Sequence, residues 1–550
     1  MTDVPFLPDY PATLPNVIAD TTRRYADREF LVMGERRLTF RDVERSSAHL
    51  ARGLLAAGVG KATRVGIIIP NTPDWVEAWY AAGRIGAFTV PLSTFFQARE
   101  ISWALNEADI DTLLIVDEYL GHNYIERLER AIPELAAQTS TQLYLPSHPY
   151  LRRIVVWGKC DRPWAIKGPQ ALRAMADAVP TIDDAYLKTV ESLVTPADLL
   201  MGICTSGSTA QPKIVVHTHG SVLKTTHAYR PYSLGNFRPD ERCLCAMPFF
   251  WLGGLNSNLM PVIYEGACLL FSESQRAEDQ LDVLIKEKAT RASMWPAQFK
   301  PIREVAEARG LNLNHLVPGV EVRDPQGNIL PLERRIASLL GMTESFGPHG
   351  VGNWGEVLEE KNGASWGRNL EGIERKIVDP ATGETLPPGK DGELYIRGWS
   401  MMAGYYKRER GEIFDADGWF PTGDTCHINE NDYLYFKGRV SDMIKTAGAN
   451  VSPQEVELLM VTYPGVAEAI VLGMPDEVRG ENVLAVVIPR DGAKIDSAAI
   501  QKRMKDEISS YKIPKEFVVM NFSDVPRTTS GKVQRNALKK LLAERSAATK

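Results

Sequence analysis

Short apolar runs alternate with amphipathic stretches along the N-terminal part of the chain. Residues 65–69 (VGIII) predict a buried strand, and the polar residues 71–74 (NTPD) that follow predict the start of a helix. Residues 113–116 (LLIV) and 154–157 (IVVW) predict further buried strands. Strands that alternate with helices are typical of α/β layers. We therefore expect an α/β fold of layered, largely parallel sheets flanked by helices.

The pattern changes from about Tyr433, where a short predicted strand leads into Gly438 and Arg439. The last ~110 residues have helices and strands of their own, and a segment of that size folds as a separate small α+β domain. These elements are a helix from Ser452, strands at 467–472 and 483–488, and a basic C-terminal helix. The predicted division is a large N-terminal domain (1–438), a hinge (439–441) and a small mobile C-terminal domain (442–550).

Composition excludes several classes of protein. A chain of 550 residues is too long for one hydrophobic core, and its net charge of -6 gives no basic footprint for nucleic acid. No apolar stretch reaches the ~18 residues of a transmembrane segment. The N-terminus lacks a signal-peptide pattern, so we expect a cytoplasmic protein. Six scattered cysteines, without zinc-ligand spacing, predict neither a disulfide nor a structural metal.

The most informative segment is residues 205–213 (TSGSTAQPK), directly after the apolar run 199–204. Small hydroxylated residues around a glycine allow backbone N–H groups and hydroxyls to converge on phosphate oxygens, and Lys213 adds a positive charge. The segment is not a Walker A loop, because G-x-x-x-x-G-K-[ST] is absent. Alone, such a segment is more often a solvated loop than a phosphate site.

Further motifs follow in order: 341–344 (GMTE), 421–424 (PTGD), 438–439 (GR), 445–448 (KTAG) and 526–532 (PRTTSGK). With these motifs, the chain resembles the adenylate-forming superfamily of acyl-CoA synthetases, peptide-synthetase adenylation domains and luciferases. The resemblance covers nearly the whole length and is closest to a free-standing acyl-CoA synthetase of the fatty-acid–CoA ligase type. It implies that a carboxylic acid attacks ATP to give an acyl-adenylate, which then passes its acyl group to coenzyme A.

The resemblance also implies roles for the N-terminal motifs. Thr343 would hydrogen-bond the α-phosphate, and Glu344 would bind Mg²⁺, a hard cation that prefers oxygen ligands. The β- and γ-phosphates would be wrapped by Thr205, Ser206, Gly207, Ser208, Thr209 and Lys213. In isolation, Glu344 would more often be a helix cap or a surface charge.

The C-terminal motifs receive roles in the same way. Asp424 resembles the residue that accepts hydrogen bonds from both ribose hydroxyls, and Arg439 resembles the ribose- and phosphate-contacting arginine at the domain junction. Lys532 resembles the mobile lysine that bridges the α-phosphate and the substrate carboxylate. After a domain rotation, Lys445 and Gly448 would face the active site on the thiol side. Each residue alone has an ordinary alternative, such as a surface charge or a turn glycine.

The chain departs from the family pattern at several positions. Ala210 and Ile214 replace later glycines of the phosphate loop, and Leu340 replaces an aromatic that stacks on adenine. Ser441 stands at the hinge position, where the family usually has Asp or Lys. Adenine contacts are not assignable within 311–340. None of these departures removes a charged catalytic group.

The acyl pocket is predicted to have apolar walls. Trp251 stands at the family's gate-like position within 248–254 (PFFWLGG). The candidate pocket residues are Phe250, Trp251, Gly253, Phe346 and His349. For any one aromatic, a plain core role is at least as common. We expect an apolar acid, which leaves fatty, aryl and bulky polycyclic acids open.

Three functional alternatives remain at this point. The leading one is an ATP- and Mg²⁺-dependent acyl-CoA synthetase that uses free coenzyme A. The second is a ligase that loads the phosphopantetheine of a carrier protein, and the third is a non-catalytic adenylate-binding relative. The oligomeric state, including a homodimer, stays open.

Overall fold

A computed structural model describes the chain over residues 8–205, 213–232, 236–294, 296–316, 335–336, 339–352, 356–439, 444–446, 449–451, 453–476, 479–508, 512–529 and 531–548. Its helices are α1 (Leu14–Tyr25), α2 (Phe40–Ala56), α3 (Pro73–Arg84), α4 (Ala98–Glu107), α5 (Tyr124–Ala131), α6 (Gly168–Asp177), α7 (Asp184–Ser192), α8 (His219–Tyr229), α9 (Leu252–Gly254), α10 (Met260–Glu265), α11 (Ala277–Lys286), α12 (Pro296–Ala308), α13 (Pro453–Met460), α14 (Ser497–Glu507) and α15 (Arg535–Ala548).

The strands are β1 (Glu29–Met33), β2 (Arg36–Thr39), β3 (Arg64–Ile68), β4 (Phe88–Pro91), β5 (Thr112–Val116), β6 (Glu118–Tyr119), β7 (His122–Asn123), β8 (Arg153–Trp157), β9 (Ala165–Lys167), β10 (Leu199–Thr205), β11 (Lys213–Thr218), β12 (Arg242–Cys245), β13 (Cys268–Phe271), β14 (Arg291–Ser293), β15 (Leu340–Met342), β16 (Gly347–Val351), β17 (Arg368–Asn369), β18 (Ile373–Val378), β19 (Gly392–Gly398), β20 (Gly404–Tyr405), β21 (Phe420–Ile428), β22 (Leu434–Arg439), β23 (Ile444–Thr446), β24 (Ala449–Val451), β25 (Val466–Asp476), β26 (Gly480–Pro489) and β27 (Glu516–Val519).

The chain divides into two compact units. The first comprises Met1–Glu374 and Arg397–Gly418, and the second comprises Arg375–Ile396 and Trp419–Lys550. The proposed hinge at 439–441 stays a prediction, because residues 440–443 lie outside the described part of the chain.

The first unit contains an eight-stranded sheet in the order β20-β11-β10-β4-β3-β5-β8-β9. From β10 to β9 every neighbouring pair is parallel, whereas β11 pairs antiparallel with both β10 and β20. Alternate residues enter two separate cores: Leu114 and Val155 pack with α2, α3 and α6, while Ile115 and Val156 pack with α4 and α5. Burial on both faces explains why these strands are continuous apolar runs.

A second sheet of this unit has the order β14-β12-β13-β1-β2, and all its pairs except β1–β2 are parallel. A third, small sheet has the order β15-β16-β17. A π-helical turn, Leu255–Leu259, joins α9 to α10. Single π-turns inside helices often occur at functional sites.

The second unit contains a four-stranded sheet, β18-β19-β21-β22, and a sheet in which β24-β23-β26-β25 is extended by β27 on β26. The long antiparallel pair β25–β26 is again buried on both faces. Val471 and Val487 pack with α13 and α14, whereas Leu472 and Val486 pack with α15. The predicted fold class, an α/β N-terminal part with a small α+β C-terminal part, is confirmed.

Candidate active site

The predicted phosphate-binding segment begins and ends on paired strands. Thr205 ends β10, Lys213 begins β11, and the two residues are partners in the antiparallel ladder. The Thr205 hydroxyl donates to the Lys213 carbonyl oxygen at 3.3 Å. The ends of the segment are therefore fixed by backbone pairing. The residues between them, including Ser206, Gly207, Ser208, Thr209 and Ala210, lie outside the described residues.

A tyrosine outside every sequence motif connects this segment to the Glu344 turn. The Tyr405 hydroxyl donates to Glu344 Oε1 at 2.8 Å. The Lys213 ammonium lies over the ring of the same tyrosine, 4.8 Å from its centroid. One neutral side chain thus contacts both the candidate phosphate-binding cation and the candidate metal-binding carboxylate.

Thr343 and Glu344 lie in a tight turn between β15 and β16. The turn is a short 3-10 helix, Thr343–Ser345, and it ends at Phe346 with a left-handed φ of 50°. At Gly341, an added Cβ would lie 2.4 Å from the Gly347 carbonyl oxygen across the hairpin. The glycine of the GMTE motif is therefore required by close backbone approach.

Two carbonyls of the turn accept hydrogen bonds from other segments of the first unit. The Met402 backbone N–H donates to the Glu344 oxygen at 2.7 Å. The Asn256 side-chain amide, from the π-helical turn, donates to the Phe346 oxygen at 2.6 Å. These bonds restrict the backbone positions from which Glu344 and Phe346 project.

A third carbonyl of the turn is bound by a buried histidine at the end of β11. His217 Nε2 lies 2.7 Å from the Thr343 oxygen, and its Nδ1 lies 3.4 Å from Ser221 Oγ. Because a carbonyl only accepts, Nε2 carries the proton. Burial lowers the pKa of His217 to about 4, so the ring is neutral at physiological pH. It packs edge-on against Phe346, with ring centroids 5.2 Å apart.

The predicted acyl-pocket residues fall into two groups in the first unit. The rings of Phe250 and Trp251 pack at an interplanar angle of 70°, and both contact Phe95, which no motif indicated. The Phe95 side chain is 41% exposed, whereas Phe346, at the end of the 3-10 turn, and His349, on β16, are fully buried. The side chains of Phe95, Phe250 and Trp251 form an apolar surface, whereas Phe346 is part of the core.

Gly253 lies in α9, the short helix that follows these aromatics. A Cβ at Gly253 would lie 2.9 Å from the Met247 methyl group, at the flexible end of that side chain. A small residue is therefore favoured at this position. Leu340, which stands where the family has an adenine-stacking aromatic, is 8% exposed at the start of β15.

In the second unit, Asp424 lies on β21 opposite Arg439 on β22. The Asp424 carboxylate is only 4% exposed, and its backbone N–H bonds to the Thr422 hydroxyl at 3.1 Å. Gly423, at φ 72°, turns the strand just before it and donates to Glu393 Oε1. A buried carboxylate placed on a strand by specific local bonds is a candidate binding group.

Lys532 lies in an exposed turn of the second unit. The Thr528 N–H donates to the Lys532 carbonyl oxygen at 2.8 Å, and Gly531 adopts φ 82°. Arg527 stabilises the turn through two contacts. One guanidinium nitrogen donates to the Gly531 carbonyl oxygen at 3.0 Å, and a second pairs with the Glu468 carboxylate at 2.6 Å. The lysine side chain projects from a braced backbone.

The remaining predicted residues are placed only in part. Lys445 lies on β23 opposite Asn450 of β24, and Gly448 and Ser441 lie outside the described residues. Most of the segment 311–340, where adenine contacts were not assignable, also lies outside them.

The donor set around Glu344 fits a magnesium ion. Mg²⁺ in nucleotide sites is usually bound through one or two carboxylates plus substrate phosphates. The Glu344 carboxylate and the Thr343 hydroxyl, adjacent on one 3-10 turn, are oxygen donors of this kind. Across the described ranges no cluster of three or more His, Cys, Asp or Glu side chains could hold a metal ion. The residues therefore suit an ion that the nucleotide brings rather than an all-protein cage.

Residues 18–406 match the model of the family described as AMP-binding enzyme, and residues 455–532 match that of the AMP-binding enzyme C-terminal domain. Because the first match covers more than half of the chain, the chain belongs to the AMP-binding enzyme family. The predicted superfamily and the predicted class, an adenylate-forming acid–thiol ligase, are confirmed.

The similar proteins span the whole chain. YngI of Bacillus subtilis (strain 168), which carries the name of an acyl-CoA synthetase, is 27% identical over 547 residues, 97% of either chain. The mitochondrial medium-chain acyl-CoA ligase ACSF2 of Danio rerio is 26% identical over 544 residues, 96% of this chain and 88% of its own. The crystal structure of the anthranilate CoA ligase AuaEII with anthranoyl-AMP has a TM-score of 0.77 at 23% sequence identity. The match covers 99% of this chain and 100% of that chain. That likeness shows the fold.

Proposed function

We propose that this enzyme is an acyl-CoA synthetase that activates an apolar carboxylic acid. A carboxylate oxygen of the acid attacks the α-phosphorus of ATP, the bond to the bridging oxygen breaks, and pyrophosphate leaves. The thiolate of coenzyme A then attacks the acyl carbonyl of the mixed anhydride, and AMP leaves. ATP and coenzyme A are consumed as substrates, and Mg²⁺ supplies charge neutralisation at the phosphates.

One observation carries this proposal: Lys213 and Glu344 contact the same tyrosine. Phosphoryl and adenylyl transfer depend mainly on positioning and on stabilisation of negative charge. A cation at the end of a hydroxyl-rich segment and a carboxylate with an adjacent hydroxyl provide both. Thr343 and Lys213 would bind phosphate oxygens, and Glu344 would bind the ion.

Residues of the second unit complete the proposed machinery. Asp424 would accept hydrogen bonds from the ribose, and Arg439 would contact the ribose and phosphate. Lys532 would neutralise charge on the α-phosphate and the acid during adenylation, and Lys445 and Gly448 would serve the thiol step. The burial of Asp424 and the braced turn of Lys532 support these roles.

An apolar acid is supported by the aromatic cluster of Phe95, Phe250 and Trp251. Aromatic side chains provide large apolar contact areas, and two of the three pairs have the edge-to-face packing that aromatic rings favour. A fatty, aryl or polycyclic side chain would gain free energy from burial against them.

A pyrophosphate-release assay over a panel of acids, each with and without coenzyme A, tests the proposal. We expect release that depends on an apolar acid, and a thioester product only in the coenzyme A arm. Small, charged dicarboxylic acids serve as the contrasting panel. No acid-dependent release with any member would indicate a non-catalytic relative.

The acyl acceptor is tested in the same experiment. Adenylation without thioester formation would instead favour loading of a carrier-protein phosphopantetheine, which an added carrier protein would reveal.

None of the helices in the described ranges has the length and apolar character of a membrane-spanning segment. A cytoplasmic location and a homodimer stay predictions.

A further inference from the structure

Tyr405 makes two different contacts with the candidate site. Its hydroxyl donates to Glu344 Oε1 at 2.8 Å, and its ring face receives the Lys213 ammonium at 4.8 Å. The first contact is a hydrogen bond to an ionised acceptor, and the second is a cation–π interaction. The tyrosine side chain offers both a hydrogen-bond donor and an electron-rich face.

The backbone around Tyr405 is fixed by the same segments that carry its two partners. Tyr405 pairs with Val215 in the ladder of β20 and β11, two residues beyond Lys213. The N–H of Tyr406 donates to the Ile214 oxygen at 2.9 Å. On the other side, the N–H of Met402 donates to the Glu344 oxygen at 2.7 Å. The tyrosine is thus positioned relative to Lys213 and Glu344 through backbone bonds.

The chemistry of the contacts separates two opposite charges. A lysine beside a glutamate tends to form a direct ion pair, in which each group neutralises the other. Here, in the described structure, Lys213 and Glu344 form no ion pair with each other, and each contacts Tyr405 instead. A carboxylate has about four lone-pair sites, so one bond from a phenol leaves capacity for a metal ion.

We propose that Tyr405 is a positioning residue that orients the Glu344 carboxylate for magnesium and keeps Lys213 available for the phosphates of ATP. This inference rests on the proposed function. Groups that hydrogen-bond a metal-binding side chain fix its orientation and strongly affect metal affinity. A neutral donor does this without adding charge to the site.

The test uses Tyr405→Phe, Tyr405→Leu and the matched control Tyr406→Phe. Tyr405→Phe removes only the hydroxyl, and Tyr405→Leu also removes the ring face. Tyr406 also donates its hydroxyl to a carboxylate, Asp109 Oδ2 at 3.1 Å, and stacks on Phe88. The control therefore loses the same atom at a neighbouring position outside the site.

Isothermal titration measures the Kd of ATP with Mg²⁺ and with EDTA, in the absence of any acid. The Kd in EDTA divided by the Kd with Mg²⁺ gives the factor by which the metal tightens ATP binding. We expect Tyr405→Phe to reduce this ratio ~10-fold, while the Kd in EDTA changes less than ~2-fold. Tyr405→Leu should in addition weaken ATP binding in EDTA, because Lys213 loses its aromatic contact. Tyr406→Phe should leave both values as in the wild type.

A double-mutant cycle with Glu344→Gln separates positioning from a general structural effect. If Tyr405 acts through Glu344, Tyr405→Phe changes the metal ratio less than ~2-fold in the Glu344→Gln background. The proposal is overturned if the effects of Tyr405→Phe and Glu344→Gln on the metal ratio are additive. It is also overturned if the metal ratio of Tyr405→Phe equals or exceeds that of the wild type. Thermal unfolding of each variant checks the fold.

The titration needs no acid substrate, so its failure is distinct from failure of the proposed function. Wild-type protein that binds Mg·ATP but adenylates no acid would contradict the proposed activity and still test Tyr405. Acid-dependent pyrophosphate release combined with equal ratios in Tyr405→Phe and Tyr406→Phe would retain the activity and overturn the role of Tyr405.

Discussion

His217 shows how one buried side chain controls a catalytic turn. Its ring is fully buried, its Nε2 proton is directed at the Thr343 oxygen, and Phe346 packs against it in a T-shaped arrangement. An apolar replacement would leave that carbonyl without its donor in a buried setting, which typically costs ~1–3 kcal/mol. The position of Thr343 therefore depends on a residue that contacts no substrate in the proposed reaction.

We expect His217→Leu to lower the rate of adenylation ~10-fold, because the Thr343 backbone loses its donor. His217→Gln keeps an amide donor near the Nε2 position and should retain most of the rate. Acid-dependent pyrophosphate release gives kcat and KM for both variants. Equal loss in Leu and Gln would contradict a role for the hydrogen bond.

The same histidine predicts a pH dependence of stability. Burial lowers the pKa of His217 from 6.5 to about 4, so between these values the unfolded chain binds a proton that the folded chain does not. Stability therefore rises with pH through this window and is lost as pH falls from 6.5 toward 4. As the pH falls from 6.5 to 4, the free energy of unfolding of the wild type should decrease by ~1–3 kcal/mol more than that of His217→Gln.

Chemical denaturation at several pH values measures this difference. His219, whose pKa burial also lowers to about 4, has the same sign of dependence and stays in both proteins. If the free energy of unfolding changed in parallel with pH for the wild type and His217→Gln, His217 would not be held neutral by the fold.

At the residue scale, local motifs predicted the groups that would touch substrates, and they missed the groups that hold them. Thr343 and Glu344 belong to a contiguous motif with a recognisable pattern. Tyr405 and His217 act on them from distant parts of the chain, through pairing that no local pattern reports. A tyrosine after a glycine and a histidine at a strand end carry no chemical signal by themselves.

At the scale of elements, the turn that carries Lys532 depends on Arg527. Its two contacts, with the Gly531 carbonyl and with Glu468, connect the turn to β25, and its guanidinium also lies 4.1 Å from the Phe522 ring centroid. Because Lys532 itself is exposed, the orientation of the turn determines where its ammonium group lies.

We expect Arg527→Ala to lower adenylation ~5–10-fold, the loss of one charged hydrogen bond to the turn. Arg527→Lys, which keeps the charge opposite Glu468, should lie between Ala and the wild type. Arg503→Ala serves as the control, because Arg503 forms an exposed ion pair with Glu507 on α14. Pyrophosphate release measures all three, and a loss in the control as large as in Arg527→Ala would contradict the prediction.

Elements buried on both faces were the most predictable ones. The runs 65–69, 113–116 and 154–157 became β3, β5 and β8 within one residue at each end, since a parallel strand between two helical layers is apolar throughout. The predicted strands at 467–472 and 483–488 lie inside the longer β25 and β26. The two-residue strand β20 and the π-helical turn were not predictable, because neither has enough length to show a period.

At the scale of the whole molecule, the proposed catalytic groups are distributed over two compact units. Lys213 and Glu344 belong to the first unit, and Asp424 and Lys532 belong to the second. The change of pattern near Tyr433 indicated a C-terminal domain. It did not predict that most of β18 and β19 and all of β21 belong with the second unit, because the assembly of these strands with β22 into one sheet is a tertiary feature.

The predicted domain rotation assigns Lys532 to adenylation, so the two half-reactions can be tested separately. Lys532 is expected to act in adenylation, where the α-phosphate and the acid both carry negative charge, and to be dispensable once the anhydride exists. Removal of one charge-stabilising group from such a step typically costs ~100-fold or more in rate. We therefore expect Lys532→Ala to lose acid-dependent pyrophosphate release almost completely.

Thioester formation from supplied acyl-adenylate and coenzyme A should meanwhile stay within ~3-fold of the wild type, because in the acyl-adenylate the acid no longer carries the negative charge that Lys532 is proposed to neutralise. Lys515→Ala, which removes an exposed lysine of the same unit, should leave both steps intact. Mass spectrometry of the thioester and a pyrophosphate assay follow the two steps separately. Equal loss of both steps in Lys532→Ala would contradict the predicted domain rotation.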